Sequence, residues 1–214
     1  MRRRLCDIDD QARRRGRSPG LRMLRGCFSV ALLSVVISAA QAQSTAPSAV
    51  PAKAAACAAC HGQDGKPILP IYPVLAGQTS RYMVLQLRDF QAGRRVNELM
   101  TPMVQGMTPE EMRELSNYFA KQKAPRQSYP VDDEKSRLGK LKADETLCTM
   151  CHLGGFVGQN EVPKVAAQNY DYIVKQLADF KARRRTNDAG TMTSVSGTLS
   201  DKDIENLAHY LVGL

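Results

Sequence analysis

Two five-residue segments carry the residue types best suited to chemistry. Cys57 to His61 reads Cys-Ala-Ala-Cys-His, and Cys148 to His152 reads Cys-Thr-Met-Cys-His. Thiols three positions apart lie on one helical turn, where each can bond a vinyl group on one porphyrin edge, and the adjacent histidine can reach the iron. Because these segments use every cysteine beyond residue 30, they predict two covalently bound c-type haems, attached through Cys57, Cys60, Cys148 and Cys151.

Other uses of paired cysteines fit these segments less well. A zinc site made of two Cys-x-x-Cys pairs usually closes over about 15–20 residues, whereas 87 residues separate Cys60 from Cys148. A thioredoxin-like redox pair needs a βαβ context, and the sequence shows no such pattern. Structural disulfides are conceivable, but they leave the histidine after each pair unexplained.

Each iron is expected to take the histidine of its own motif as one axial ligand, His61 in the first half and His152 in the second. The third histidine, His209, aligns with Asn117 on the helix face opposite Leu207, and we interpret it as solvated. Two histidine ligands per iron are therefore excluded within this chain. The other common axial ligand of an electron-transferring haem c is methionine.

The register of an internal repeat selects the methionines. Outside its haem motif the second half contains only Met192, seven residues before Leu199. Seven residues before the matching Met107 lies Met100, whereas Met103 has no methionine counterpart. The separations from the motif histidines, 39 and 40 positions, agree as well. We therefore predict Met100 and Met192 as the second axial ligands of the two irons.

Pro73 and Pro163 follow the motif histidines by 12 and 11 residues. Each is expected to bring a backbone carbonyl to the histidine Nδ1–H, which fixes the tautomer and raises the basicity of the ligand. On spacing alone, an ordinary turn proline is an equally good interpretation.

The N-terminal 42 residues have the composition of an export signal. Arg22 and Arg25 precede an apolar run from Cys27 to Ala40, which ends in Ala-Gln-Ala. This order of basic flank, short apolar stretch and small-x-small site is typical of a secretory signal peptide. We expect residues 1–42 to be removed, with an uncleaved anchor as the alternative. Translation starting at Met23 would give a signal of ordinary size.

The charge of the chain does not indicate a nucleic-acid partner. The formal net charge is +9, but +6 of it lies in residues 1–42 and leaves +3 for residues 43–214. Four haem propionates would bring that remainder close to neutral, and no basic patch interleaved with aromatic residues is present.

The mature chain is predicted to be all-α, with two tandem domains related by duplication: residues 43–123, a linker at 124–131, and residues 132–214. Thr79 and Asn169 are plausible N-caps of a middle helix. The sequence from Thr108 to Glu111 predicts a capping box, with a weaker counterpart at Ser200. A helix from about Asp132 to Leu141 opens the second half. The main matched positions are Pro73, Gln78, Tyr82, Gln86, Asp89, Phe90 and Leu115 with Pro163, Gln168, Tyr172, Gln176, Asp179, Phe180 and Leu207.

On these motifs both halves resemble class I cytochrome c domains, and the mature chain resembles the di-haem cytochrome c4 family. That resemblance implies a periplasmic electron carrier, soluble or membrane-associated, between a quinol-oxidising cytochrome bc complex and a terminal oxidase. It also implies two domains packed about a pseudo-twofold axis with their haem propionates facing each other. Ala167, where the first half has Gly77, is a minor departure from the pattern.

The expected ligands restrict the chemistry. With histidine and methionine both bound, the iron has no open position for a substrate, so the chain is expected to transfer electrons and not to be an enzyme. The alternative is a haem subunit of a periplasmic dehydrogenase, such as a flavocytochrome c sulfide dehydrogenase. Two matched methionines argue against a di-haem peroxidase. Four interface candidates, Gln78, Tyr82, Gln168 and Tyr172, either bind propionates or pack within the protein.

Overall fold

A computed structural model describes residues 50–214, so the predicted signal segment lies outside the described residues. This part of the chain is helical, and its β pairing is limited to an isolated bridge between Gln159 and Val162. The all-α prediction is therefore confirmed. The helices are α1 (Ala54–His61), α2 (Ser80–Gln91), α3 (Met100–Met103), α4 (Pro109–Ala120), α5 (Asp133–Glu145), α6 (Cys148–His152), α7 (Tyr170–Lys181), α8 (Thr191–Gly197) and α9 (Asp201–Val212), with a 3₁₀ turn at Gly154–Phe156.

The helices form two domains, each with its own hydrophobic core. In the first domain α2 packs on α3 and α4, and in the second α9 packs on α5 and α7, while α8 contacts α7. The predicted duplication is visible in the cores, because matched helices supply matched apolar residues. The main core residues are Met83, Phe90, Met112, Leu115 and Phe119 in the first domain and Ile173, Phe180, Ile204, Leu207 and Leu211 in the second.

The last helix of each domain begins at a capping box. Thr108 Oγ1 accepts a hydrogen bond from Glu111 N–H at 3.2 Å, and the Glu111 carboxylate accepts one from Thr108 N–H at 2.8 Å. Ser200 and Asp203 make the same reciprocal pair in the second domain. Both boxes confirm the sequence interpretation, and they fix where the core-facing stripes of α4 and α9 begin.

The helices that open the two domains differ. Helix α5 runs to Glu145, one turn past the predicted end at Leu141, and packs along α9. The crossing is close at Gly139, where an added Cβ would lie 2.1 Å from the Asn206 carbonyl oxygen. Helix α1 has only eight residues and consists largely of the haem motif itself. The first domain therefore relies less on its opening helix than the second does.

Four matched backbone positions adopt positive φ angles in both domains. The first domain has glycine at each of them, at residues 62, 65, 77 and 93, with φ between 69° and 74°. The second domain has Leu153, Phe156, Ala167 and Arg183, with φ between 53° and 63°. Residues other than glycine adopt this conformation at a cost of about 1–2 kcal/mol. The second domain therefore holds strain that the first domain avoids.

The prediction that His209 is solvated is wrong, because its side chain is only 6% exposed. Its ring packs edge-on against Tyr129 and Tyr170, which stack on each other at 4.3 Å. His209 Nδ1 accepts a hydrogen bond from Asp132 N–H at 3.1 Å. The linker and the start of α5 thus cover a face of α9 that helical periodicity alone assigned to solvent.

Candidate haem sites

Both haem motifs line one cavity of about 1600 Å³. Most of its wall is apolar, and it includes the motif histidines together with Met100 and Met192. Small-molecule pockets in proteins are usually about 300–1000 Å³, so this cavity is larger than a single ordinary ligand requires. Within residues 50–214 no group of three or more His, Cys, Asp or Glu side chains is arranged to hold a metal ion by itself.

Each motif histidine ends a short helix and is held by a prolyl carbonyl. His61 Nδ1 lies 3.0 Å from the Pro73 oxygen, and His152 Nδ1 lies 2.8 Å from the Pro163 oxygen. Since a carbonyl can only accept, Nδ1 carries the proton and Nε2 is left with its lone pair. The carbonyl contacts expected from the sequence are present in both domains.

Burial also favours the protonation state that a metal ligand needs. His61 and His152 are 5% and 8% exposed. Desolvation lowers the pKa of both imidazoles, and the prolyl hydrogen bonds oppose this shift only in part. Both rings are therefore neutral at pH 7, as iron coordination requires.

None of the four motif cysteines forms a disulfide within residues 50–214. Burial raises the pKa of Cys57 and of Cys148, which favours the neutral thiol over a reactive thiolate. Cys151 is exposed, and the neighbouring Met150 is 72% exposed. The attachment edge of the second site therefore faces solvent.

The candidate methionines occupy matching helices. Met100 begins α3 and packs, partly buried, against the first core, whereas Met103 at the end of the same helix is 52% exposed. Met192 is the second residue of α8 and is also partly buried. All three line the cavity. The assignment of Met100 and Met192 as axial ligands stays a prediction, and the burial of Met100 agrees with it better than with Met103.

Two arginines cross between the domains in reciprocal contacts. Arg95 donates to the Tyr172 hydroxyl at 2.9 Å, and Arg185 donates to the Tyr82 hydroxyl at 3.1 Å. Each guanidinium also bonds glutamines of both domains, Gln86 and Gln176, at 2.7–3.0 Å. Arg95 also lies over the ring of Phe90, 4.6 Å from its centroid, and Arg185 lies over the ring of Phe180 at 4.4 Å.

The arginine pair changes the ionisation of the tyrosine at the interface. Burial alone would raise the pKa of Tyr82, but the guanidiniums of Arg185 and Arg95 outweigh it and lower that pKa. In the described part of the chain, neither arginine has a carboxylate within salt-bridge distance. Arg185, which is buried, and Arg95, which is partly buried, line the same cavity as the haem motifs, and neither is paired with a carboxylate in the described residues.

The four interface candidates from the sequence have protein partners. Tyr82 and Tyr172 accept from the crossing arginines. Gln78 and Gln168 bond backbone groups of the opposite domain, as the packing interpretation expects.

The residues present fit two haems. The cavity supplies two pairs of thiols, two neutral imidazoles with free Nε2 atoms, several methionine thioethers that include Met100 and Met192, and an apolar lining. The guanidiniums of Arg95 and Arg185 match the negative charge that haem propionates carry. No other common prosthetic group combines these requirements.

Sequence reasoning missed Arg95 and Arg185. The signal was available, because Phe90 and Phe180 are each followed, four and five positions later, by two arginines in the same register. Those arginines looked like ordinary surface charge after a helix. Only the packed domains show that the second of each pair turns inward.

Comparison with known proteins agrees with this site. A family model described as Cytochrome c matches residues 52–123. The chain is 37% identical over 161 residues to cytochrome c4 of Stutzerimonas stutzeri, covering 66% of this chain and 76% of that protein. It is 32% identical over 149 residues to the thiosulfate dehydrogenase electron acceptor of Thiomonas intermedia, covering 65% and 69%. The crystal structure of reduced recombinant cytochrome c4 from Pseudomonas stutzeri superposes with a TM-score of 0.71 at 36% identity, covering 76% of this chain and 95% of that one.

Proposed function

The chain belongs to the cytochrome c4 family of di-haem electron-transfer cytochromes, and we propose that it is a periplasmic electron carrier of a respiratory chain. The observation that carries this proposal is the duplicated set of a buried, carbonyl-held histidine and a matched methionine on one apolar cavity. When bound, haem supplies reversible one-electron transfer. A site with both axial positions filled offers no place for a substrate to bind.

The roles of individual residues follow from their chemistry. Cys57, Cys60, Cys148 and Cys151 would hold the two haems covalently, and His61 and His152 would each bind an iron through Nε2. Met100 and Met192 would supply the second protein ligand of each iron. The apolar lining excludes water and, with the thioether ligands, favours the reduced state. Arg95 and Arg185 compensate the propionate charge at the domain interface.

The proposed location and boundaries rest on the sequence. Residues 1–42 would direct export, since the covalent attachment motif functions outside the cytoplasm. The domains would then span residues 43–123 and 132–214, with the linker at 124–131 carrying Tyr129. In residues 50–214 no helix is both long enough and apolar enough to cross a membrane.

Two electron routes are candidates. In the first, the chain accepts electrons from a quinol-oxidising cytochrome bc complex and delivers them to a terminal oxidase. In the second, it accepts electrons from a periplasmic dehydrogenase, which its similarity to the Thiomonas intermedia acceptor favours. Stopped-flow reduction by each purified donor distinguishes them, because the physiological donor should reduce the protein much faster than the other.

Paired substitutions test the site. Met100→Leu should remove one haem's share of the sulfur-to-iron charge-transfer band, lower that haem's potential and admit external ligands, and Met192→Leu should do the same for the other haem. Met103→Leu is the matched control, and it should leave ligation unchanged because it exchanges similar volumes at an exposed position, typically for less than about 1.5 kcal/mol. If Met103→Leu abolishes the band while Met100→Leu spares it, the ligand assignment is wrong.

A further inference from the structure

The amides of Gln78 and Gln168 make the same contacts in opposite directions across the domain interface. Gln168 Oε1 accepts from Val74 N–H at 2.7 Å, and its Nε2 donates to the Val74 carbonyl at 3.0 Å. Gln78 Oε1 accepts from Lys164 N–H at 2.8 Å, and its Nε2 donates to the Lys164 carbonyl at 2.8 Å. Both glutamines are buried.

The orientation of each amide is fixed by its partners. Gln78 Oε1 also accepts from the N–H of Thr79 at 2.9 Å, and Gln168 Oε1 accepts from the N–H of Asn169 at 2.9 Å. Two donors therefore face the oxygen and a carbonyl faces the nitrogen, so a flipped amide would lose all three bonds. The residue after each glutamine, Thr79 or Asn169, is the N-cap of α2 or α7, so the glutamine backbone is held next to a helix start.

The peptide that each glutamine binds is the one that supports the opposite domain's histidine. The Val74 N–H and the Pro73 carbonyl belong to a single planar peptide unit. That carbonyl accepts from His61 Nδ1. One peptide thus connects Gln168 of the second domain with the imidazole of the first.

The mirror contact is complete. The Lys164 N–H and the Pro163 carbonyl form one peptide unit, which connects Gln78 of the first domain with His152 of the second. The contact is the same in both halves although Val74 of the first is matched by Lys164 of the second, because the bond involves only backbone atoms of these residues.

Hydrogen bonds arranged in a chain polarise one another. A peptide whose N–H donates to a glutamine oxygen has a more negative carbonyl oxygen, which accepts more strongly from the histidine Nδ1–H. A stronger bond there makes the imidazole a more basic ligand and stabilises ferric over ferrous iron. Hydrogen bonding behind the ligand is one of the means by which a protein sets haem potential.

We propose that Gln78 and Gln168 are crossed positioning residues, each of which adjusts the axial histidine, and hence the haem potential, of the domain to which it does not belong. This inference rests on the proposed function, because it takes His61 and His152 as iron ligands. It implies that separating the domains changes both sites even where no ligand is touched.

The test is a domain-resolved redox titration of the holoprotein, followed by NMR through the methyl signals of Met100 and Met192. Gln168→Leu leaves the Val74 N–H without a partner, so the first-domain haem should rise in potential and the His61 Nδ1–H resonance should move upfield in ferrous protein. Gln78→Leu should produce the same two changes at His152 and the second-domain haem. Gln168→Asn, one methylene too short to reach, should act like Gln168→Leu and replaces it if the leucine variant does not fold.

The control is Thr79→Val, which removes the hydrogen bond from Thr79 Oγ1 to the Asn160 carbonyl at 2.7 Å. That bond also crosses the interface but touches neither peptide, so both potentials should stay unchanged. A shift confined to the substituted domain, equal shifts in both haems, or no shift overturns the proposal. If wild-type protein lacks histidine–methionine ligation, the proposed function itself fails; normal wild-type ligation with unmoved variant potentials refutes only the crossed positioning.

Discussion

Arg183 offers a direct measure of the backbone strain held in the second domain. It is exposed, has a φ of 56° and occupies the position of Gly93 in the first domain, where φ is 70°. An added Cβ at Gly93 would meet no atom within 4 Å. Both positions are exposed, so exchanging glycine between them tests mainly the backbone strain.

The expected magnitude comes from two opposing quantities. Relief of the left-handed conformation stabilises the folded state by about 1–2 kcal/mol. The greater freedom of glycine in the unfolded chain opposes this and destabilises the folded state by about 0.4–1 kcal/mol. Arg183→Gly should therefore stabilise the second domain by about 0.5–1 kcal/mol, given these two ranges. For a domain of this size that corresponds to a rise in Tm of roughly 2–8 °C. Gly93→Ala should lower the stability of the first domain by a similar amount.

Differential scanning calorimetry of the holoprotein measures both changes. Ala182→Gly is the matched control, because Ala182 is exposed and adjacent but has a φ of −85°. Glycine relieves no strain there, so this variant should be destabilised by about 0.4–1 kcal/mol through the unfolded chain alone. The strain argument fails if Arg183→Gly lowers Tm as Ala182→Gly does, or if Gly93→Ala raises it.

Three other substitutions have defined outcomes. Gly139→Ala places a Cβ 2.1 Å from the Asn206 carbonyl oxygen and should destabilise the second domain by about 1–3 kcal/mol in urea unfolding; an unchanged midpoint would show that α5 moves freely. Burial and Lys135 lower the pKa of His209 from 6.5, so the unfolded chain takes up a proton first and stability should fall as the pH drops below about 6.5. His209→Asn should flatten that pH dependence, and an unaltered slope would assign it to another group. Arg95→Lys keeps the charge but loses the forked contacts with Tyr172 and Gln176. Because these contacts join the two domains, proteolysis within the linker should accelerate. An unchanged cleavage rate would show that they do not hold the domains together.

Local chemistry made much of this molecule predictable. The haem motifs, the capping boxes at Thr108 and Ser200 and the prolyl carbonyls behind the histidines each depend on residues close in sequence. The internal repeat added longer-range information, because the position of Met192 in the second half selects Met100 over Met103 as the candidate ligand in the first. These features need no knowledge of how the two halves pack.

The remainder depended on that packing. Helical periodicity identifies the face of α9 that holds Leu207, but it does not reveal that Tyr129 and α5 cover His209 as well. Arg95 and Arg185 resemble surface charges until the opposite domain supplies Tyr172 and Tyr82. Long-range partners of this kind leave no periodic trace in a sequence.

The reciprocal contacts between the halves have the form of an isologous interface, in which each contact occurs twice with the roles exchanged. Gln78 with Lys164 mirrors Gln168 with Val74, and Arg95 with Tyr172 mirrors Arg185 with Tyr82. A single-domain ancestor carrying this patch would already have been self-complementary and could have formed a symmetric dimer. Gene fusion would then have replaced a concentration-dependent encounter with a tethered one. Once tethered, the two copies no longer had to be identical, and the first now has glycine at four left-handed positions where the second has other residues.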